Sequence, residues 1–250
     1  MRPQELMIIA AAREIHDGDV VFVGMRLPIV AYGVARLTHA PNAVGLFECG
    51  IVRGEPATTT LHTMGDPANQ QGAAWCTGTC NLLGMMQAGR VDVGFIGGAE
   101  IDRFGNINSS YIGDFRRPAV KLPGSGGAAD IAAQSRRLVA IMNHERRRLV
   151  PRVGYVTSPG FLDGRPTRRA AGLARGGPAA VITDLAVLRP AGAAGELHLA
   201  SWHPGTTADI VRAETGWPLA LLPGAGETPP PTGDELDALR RVDREGFWRA

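Results

Sequence analysis

A glutamate closes an apolar run in the segment AVGLFECGIV, residues 43–52. Glu48 follows Phe47 and precedes Cys49 and Gly50. Charged glutamate is almost never fully buried unless it is paired, so this placement needs a reason. One reading puts Glu48 at the C-terminal end of a parallel strand, the edge where open α/β sheets bind ligands. The other is a salt bridge at the sheet edge, for instance with Arg53. Two further segments carry chemistry-bearing residues. GGAEIDRFGNIN, residues 97–108, ends a buried run with Gly97 and Gly98, so backbone N–H groups can face a ligand there. Asp102, Asn106 and Asn108 follow closely, and the same residues also suit a tight turn with Asx bonding. PGSGGAAD, residues 123–130, sets Gly124, Gly126 and Gly127 before a helix, where N-terminal amides can meet an anion or a developing oxyanion.

Other chemistries lack their residues. The glycine-rich segment has no Gly-Lys-Ser/Thr ending, so it is not a P-loop. It matches a dinucleotide fingerprint only in part, and RRPAVKLP before it is a poor buried strand. No G-x-S-x-G elbow and no H-E-x-x-H helix occurs. His144 and Glu145 read as structural, and His62 and His203 are isolated. The three cysteines, Cys49, Cys76 and Cys80, are odd in number and have no histidine at zinc-finger spacing. They read as reduced thiols, with neither a disulfide framework nor a metal site.

The elements that must position these groups follow from periodicity. Residues 4–16 have apolar positions at helical spacing, and Asp17-Gly18-Asp19 breaks them. VVFVGM (20–25) is a buried strand, 28–40 a helix that stops before Pro41, and AVGLFE the next strand. Strand, helix, strand with short connections favours a parallel sheet. Residues 53–72 form a long polar loop, and loops of this length are often functional. A helix at 80–89, a strand at 91–98, a hairpin-like excursion at 99–114 and a glycine turn opening a helix at 124–135 come next. Strands are expected at 137–144 and 152–160, and a strand pair around Gly195. A Thr-capped helix spans 206–216 and a last one 232–243. PGAGETPPPTG (223–233) reads as a linker. The 250 residues, 44% hydrophobic, are expected as one domain, 1–250, with 223–250 as linker and terminal helix. A net charge of +2 gives no nucleic-acid footprint. Arginine clusters at 143–152 and 163–169 read as a solvated rim or a patch for an anionic partner. No run approaches the roughly 18 apolar residues of a membrane span. The first residues lack a signal-peptide cleavage site, so a cytoplasmic protein is expected.

Six segments in order resemble one family: LTHAPN (37–42), FECG (47–50), FIGGAEIDRFGNINSSYIGD (95–114), LPGSGGAADIA (122–132), IMNHERRRLV (141–150) and VTSPGFLDG (156–164). The chain resembles the β subunit of family I coenzyme A transferases of the glutaconate CoA-transferase type, from about residue 5 to 220. The resemblance implies an open three-layer α/β/α sheet, mostly parallel and related to ribose-isomerase-like folds. It implies a separate α subunit, a symmetric heteromer and an active site at the subunit interface. Glu48 maps onto the catalytic glutamate. Gly50, the segment Gly97, Gly98, Ala99 with Asn106, and the segment Gly124, Gly126, Gly127, Ala128 map onto CoA-binding or oxyanion positions. The resemblance further implies an acyl-CoA and a carboxylate as substrates, with coenzyme A itself a substrate and no permanently bound cofactor or metal.

Two alternatives differ in kind. Some members of the family act on an acyl-CoA as decarboxylases or hydrolases, and there Glu48 would serve as acid or base, with a pKa raised by burial. The chain would otherwise be a non-catalytic subunit completing a partner's site. Retention of Glu48 favours transfer. Arg26, Arg53 and Arg103 lie near the expected site in sequence, and any of them suits a substrate carboxylate. Apolar LLGMM and FWRA are expected to offer surface to a partner.

Overall fold

The computed structural model describes residues 2–173 and 175–249, and the chain folds as two compact units, Met1–Phe95 with Pro230–Ala250, and Ile96–Pro229. The first unit alternates helices and strands, as the short connections require. Helix α1 (Pro3–Ala12) starts at a proline and is capped by Glu5, whose carboxylate accepts the Arg2 N–H at 3.0 Å. It ends four residues earlier than its periodicity suggests, because the chain continues through i→i+3 turns at Glu14 and Ile15. Strand β1 (Val20–Val23), helix α2 (Leu27–Leu37) and strand β2 (Val44–Phe47) follow. The chain then reverses into β3 (Ile51–Arg53), crosses a long loop holding the short α3 (Pro67–Gln70), and returns as β4 (Trp75–Cys76), α4 (Thr79–Gln87) and β5 (Val93–Ile96). The hydrogen-bonded order is β5-β1-β2-β3-β4. β1 lies parallel to both β2 and β5, while β3 and β4 are antiparallel additions.

Val21, Phe22, Val23, Leu46, Phe47, Val93 and Phe95 bury this sheet against helices that are apolar for most of their length. The C-terminal helix, Gly233–Val242, packs on α1 and α2. Gly33 on α2 permits the contact: a Cβ there would lie 2.8 Å from the methyls of Val242. Thr232 and Glu235 form a capping box at the start of that helix. The buried face of α4 takes Leu82 and Met86 inward, while Leu83 and Met85 of LLGMM are half-buried and Gly84 is exposed.

The second unit begins with an antiparallel hairpin, β6 (Glu100–Asp102) and β7 (Ile107–Asn108), followed by a second, β8 (Tyr111–Gly113) and β9 (Pro118–Lys121). Helix α5 (Ala128–Gln134), β10 (Arg137–Ile141), β11 (Leu149–Val150), α6 (Arg165–Ala170), β12 (Pro178–Ile182), β13 (Ala186–Ala191), β14 (Glu196–Trp202), α7 (Ala208–Ala213) and β15 (Leu221–Glu227) complete it. Its larger sheet has the order β10-β12-β13-β14-β15, with parallel pairs at both ends and an antiparallel meander between. The α/β class is the one the sequence implies, with parallel pairing at β5-β1-β2 in the first unit and at β10-β12 and β14-β15 in the second.

Two segments depart from expectation. Residues 152–160 are not a strand; only a single bridge joins Ser158 to Ile107. Pro151 and Pro159 bracket the segment without a donor N–H, and side chains hold it instead, with Thr157 Oγ1 accepting the Ser109 N–H at 3.0 Å. Residues 223–227 are not a linker but part of β15, parallel to β14. Pro223 and Gly224 are tolerated because β15 is the edge strand and its pairing is interrupted between Leu199 and Ser201.

Candidate active site

Strand β2 is buried along Gly45, Leu46 and Phe47 and then has to reverse within three residues. The Gly50 N–H closes the turn by donating to the Phe47 carbonyl at 2.8 Å. Gly50 adopts φ +101°, a conformation that favours glycine. Glu48 and Cys49 are therefore the two central residues of the turn. Glu48 is half-buried and Cys49 exposed, beyond the C-terminal end of a strand parallel to β1. The far side of the turn is fixed by β4 and α4. The Thr77 N–H donates to the Gly50 carbonyl at 2.7 Å, and Thr79 Oγ1 donates to the Glu48 carbonyl at 2.7 Å. These two threonines were not legible as site residues, since their partners lie about 30 residues back in the chain.

The salt bridge with Arg53 is not formed. The Arg53 guanidinium is buried and donates to the carbonyls of Glu55 (2.6 Å), Pro56 (3.2 Å) and Asn69 (2.6 Å). It anchors the 54–74 loop. Asn69 in turn donates to the Met64 carbonyl at 2.7 Å, which also accepts Cys49 Sγ–H at 3.1 Å. Thr63 Oγ1 reaches Met25 Sδ at 3.8 Å. The loop thus crosses the sheet edge from the end of β1 to the end of β2. An open depression of about 360 Å³ beside the turn is lined by Cys49, Gly50, Gln70, Cys76 and Thr77 among others. Partial burial pushes the Cys49 thiol above its ordinary pKa, so it stays protonated near neutrality.

The register Val23↔Phe47 sets Gly24 beside Glu48 at that edge. A Cβ on Gly24 would lie 2.5 Å from the Phe95 carbonyl oxygen, so only glycine allows the β1 and β5 backbones this approach. Two residues on, Arg26 caps α2 with φ 71° and ψ −124°. Positive φ at a non-glycine residue is strain of about 1–3 kcal/mol, of the kind that gathers at functional sites. The Arg26 side chain is exposed and forms no hydrogen bond or ion pair among the described residues. Arg103, by contrast, lies over the Phe104 ring at 5.1 Å in the second unit.

The remaining expected residues lie in that second unit. Gly97 is exposed, and a Cβ on Gly98 would meet Ile107 Cγ2 at 2.4 Å. The Ala99 N–H donates to the Asn108 carbonyl at 3.2 Å. Asn106 is buried and fully engaged: its amide donates to Asp102 and to the Leu162 carbonyl, and its Oδ1 accepts the N–H groups of Gly160 and Leu162, both at 2.9 Å. That leaves no free polar atom for a ligand. Burial raises the Asp102 pKa, opposed by its hydrogen bonds to Asn106 and Phe104. The glycine turn is tied to the same hairpin, with the Gly124 N–H donating to Ser109 O at 2.8 Å. Gly124 and Gly126 have φ +103° and +48°, Gly127 caps α5, and the Ala128 N–H donates to Ser125 O at 2.9 Å. Glu48 and Gly50 are thus brought together in the first unit, and the two glycine segments in the second. Among the described residues no group of three or more His, Cys, Asp or Glu is arranged to hold a metal ion.

The family model for coenzyme A transferase matches residues 4–214. The chain is 39% identical over 240 residues to the B subunit of 3-oxoadipate CoA-transferase from Pseudomonas knackmussii, covering 96% of this chain and 92% of that one. The crystal structure of glutaconate coenzyme A-transferase from Acidaminococcus fermentans superposes with a TM-score of 0.92 at 30% identity, over 100% of this chain and 98% of that chain. The decarboxylase AibA/AibB is also similar, with a TM-score of 0.85, 31% identity, and coverage of 99% and 97%.

Proposed function

The chain belongs to the coenzyme A transferase family, and on that premise we propose that it is the catalytic β-type subunit of a two-subunit enzyme that moves CoA from an acyl-CoA to a carboxylate through Glu48. A second, α-type subunit is its partner, as the subunit naming of its relative and the two-component AibA/AibB structure support. The observation that carries the role of Glu48 is its position. It stands at the tip of a glycine-dependent turn, with its own carbonyl and that of Gly50 pinned by Thr79 and Thr77. A carboxylate held on a rigid main chain at a sheet edge is placed to act as a nucleophile.

The chemistry balances without an oxidant or a metal. A Glu48 carboxylate oxygen attacks the thioester carbonyl, the C–S bond breaks, and CoA leaves as thiolate with an acyl–glutamyl anhydride behind it. The thiolate then attacks the glutamyl carbonyl and expels the donor as a free carboxylate, leaving Glu48 as a CoA thioester. An acceptor carboxylate attacks that thioester, and the sequence runs in reverse to release a new acyl-CoA and regenerate Glu48. Each step passes through an oxyanion, and removing one backbone donor from such a step costs about 100- to 1,000-fold. The segments Gly97–Ala99 and Gly124–Ala128 are assigned to the CoA arm. Asn106, with no free polar atom, acts by fixing the loop at 160–162.

The relatives are named for dicarboxylic substrates, 3-oxoadipate and glutaconate. Arg26 is the arginine that suits a second carboxylate, because Arg53 has its guanidinium bound to loop carbonyls. Three free, exposed thiols and an acyl-CoA substrate support a reducing, cytoplasmic setting.

The test is intact-mass analysis of the two-subunit complex mixed with acyl-CoAs of dicarboxylic acids. The expected result is a CoA adduct on Glu48 that hydroxylamine removes and that Glu48→Ala lacks. Loss of CO2 or addition of water, with no adduct, overturns the transferase reading and recasts Glu48 as a base.

A further inference from the structure

We propose that Trp248 is a positioning residue for the transfer reaction: with Glu245 and Phe247 it holds residues 60–65, the part of the long loop that walls the depression beside the Glu48 turn. The proposal rests on the CoA-transferase reading above and deepens it, since it names what shapes the space next to the nucleophile.

The holding segment begins at Asp243, just past the C-terminal helix. Asp243 is fully buried, and its Oδ2 accepts the main-chain N–H groups of Trp248 and Arg249 and the Arg249 Nε–H, each at 3.2 Å. The Arg249 guanidinium also donates to the Asp243 carbonyl at 2.9 Å. Gly246 turns the chain with φ +70°, a conformation that favours glycine. Residues 243–249 are thus folded back around one buried carboxylate. The aromatic pair of FWRA, expected to face a partner, is turned onto the chain's own loop.

Three contacts join the segment to the loop. Trp248 Nε1–H donates to the Leu61 carbonyl at 2.7 Å, and the Glu245 N–H reaches Thr60 Oγ1 at 3.5 Å. The His62 ring meets Phe247 edge-on at 4.7 Å, and its Nε2 faces Glu245 Oε2 at 3.2 Å. Directly after these residues the loop closes on itself. The N–H groups of His62 and Thr63 both donate to Asp66 Oδ2, at 2.6 and 3.1 Å. Residues 62–66 therefore move as one turn. That turn carries the Met64 carbonyl, which accepts Cys49 Sγ–H, and Gly65, which lines the depression with Cys49 and Gly50. A displacement at Trp248 is carried in this way to the wall of the depression, while Thr77 and Thr79 hold the Glu48 turn from β4 and α4.

Packing alone does not fix this part of the loop. Trp248, Leu61, Pro56 and Arg53 share a cavity of about 20 Å³, and atoms that border a void have lost contacts on that side. Arg53 clamps the loop at residues 55, 56 and 69, which leaves 57–65 to the folded-back segment. Misplacing a substrate by about 1 Å is enough to cost on the order of 100-fold in rate.

Rapid-quench intact-mass analysis of the two-subunit complex tests this, with succinyl-CoA and glutaryl-CoA as probes, two acyl-CoAs that differ by one methylene. Trp248→Phe keeps a ring and loses the N–H. It is expected to slow formation of the Glu48–CoA adduct about tenfold and to narrow the ratio of the two rates. Hydrogen exchange at the His62 and Thr63 amides quickens, because the turn opens more often, and the melting temperature changes little. His62→Ala approaches the same contact from an exposed side chain of the loop and shifts these readouts in the same direction. A role in folding alone would cut the amount of adduct and leave its rate and the ratio as they are, which overturns the proposal. So does wild-type exchange at His62 and Thr63 in Trp248→Phe. An adduct in the wild type, formed at the same rate in Trp248→Phe, removes the positioning role alone. A wild-type complex that forms no adduct overturns the transferase reading and the positioning role with it.

Discussion

The main chain of Gly50 lies so close to that of Thr77 that a Cβ on Gly50 would sit 1.9 Å from the Thr77 carbonyl oxygen. The same pair exchanges a hydrogen bond from the Thr77 N–H to the Gly50 carbonyl at 2.7 Å. The turn that presents Glu48 is thus sealed from behind by strand β4, and it has no room to relax. Its rigidity answers why a charged residue can end a buried strand: the main chain is held, and the carboxylate stands at the edge.

Gly50→Ala is expected to lose activity through the backbone alone. Alanine is disfavoured at φ +101°, and its methyl group meets a carbonyl oxygen that cannot yield without breaking the β3–β4 pair. Displacing a nucleophile by about 1 Å costs on the order of 100-fold. A kcat at or near the wild-type value in Gly50→Ala would show that the turn is not needed in this form.

Glu48→Gln keeps size and hydrogen bonding but removes the nucleophile. Turnover should fall by at least about 1,000-fold, while the melting temperature stays close to wild type because the carboxylate is only half-buried. Comparable turnover in Glu48→Gln would remove Glu48 from the chemistry.

Arg26 and Arg53 should separate cleanly. Arg26→Gln is expected to raise KM for a dicarboxylic acyl-CoA about tenfold, the loss of one exposed charge-assisted contact. A monocarboxylic acyl-CoA of equal length should be unaffected. Equal effects on both substrates would argue against carboxylate recognition. Arg53→Met leaves the carbonyls of Glu55, Pro56 and Asn69 without their donor, and several buried acceptors without partners cost about 1–3 kcal/mol each. It should lower the melting temperature and loosen the 54–74 loop to proteolysis. A change in KM with unchanged stability would assign Arg53 to substrate instead.

How much of this was legible in the sequence depended on whether the interaction was local. The last helix was expected over 232–243 and forms over Gly233–Val242, where Thr232 and Glu235, three residues apart, cap its start. The strand before Glu48 and the glycine after it were equally visible, because both are consecutive residues. The partners of the turn were not: Thr77 and Thr79 reach it only through antiparallel pairing across the long loop. Arg53 looked like a site residue for the same reason, since proximity in sequence to Glu48 says nothing of the carbonyls folded back over it. PGAGETPPPTG has the composition of a linker, yet its first residues are drafted into an edge strand by β14, a constraint that composition cannot express.

His144 supplies a prediction independent of catalysis. It is 4% exposed, between Thr183 Oγ1 at Nδ1 and Thr215 Oγ1 at Nε2, each 3.0 Å away. Thr215 Oγ1 donates to the Val211 carbonyl and so accepts from Nε2–H. Thr183 Oγ1 faces Nδ1 while accepting the N–H groups of Leu185 and Ala186 and donating to the Ala186 carbonyl at 3.0 Å. Burial lowers the pKa from 6.5 to about 4, against the nearby Asp184 carboxylate, which favours the charged form, and with His203, which opposes it. His203 is itself lowered by burial. The folded state thus binds fewer protons than the unfolded state between pH 6.5 and about 4. Stability is full above that window and falls as the pH drops through it, by about 3 kcal/mol for His144 at the lower end. Urea unfolding of the wild type from pH 7.5 to 4 should show this decline. His144→Gln, which cannot take up a proton, should be less stable at neutral pH but flatter across the window. Equal pH slopes in the two proteins would show that the acid sensitivity lies elsewhere.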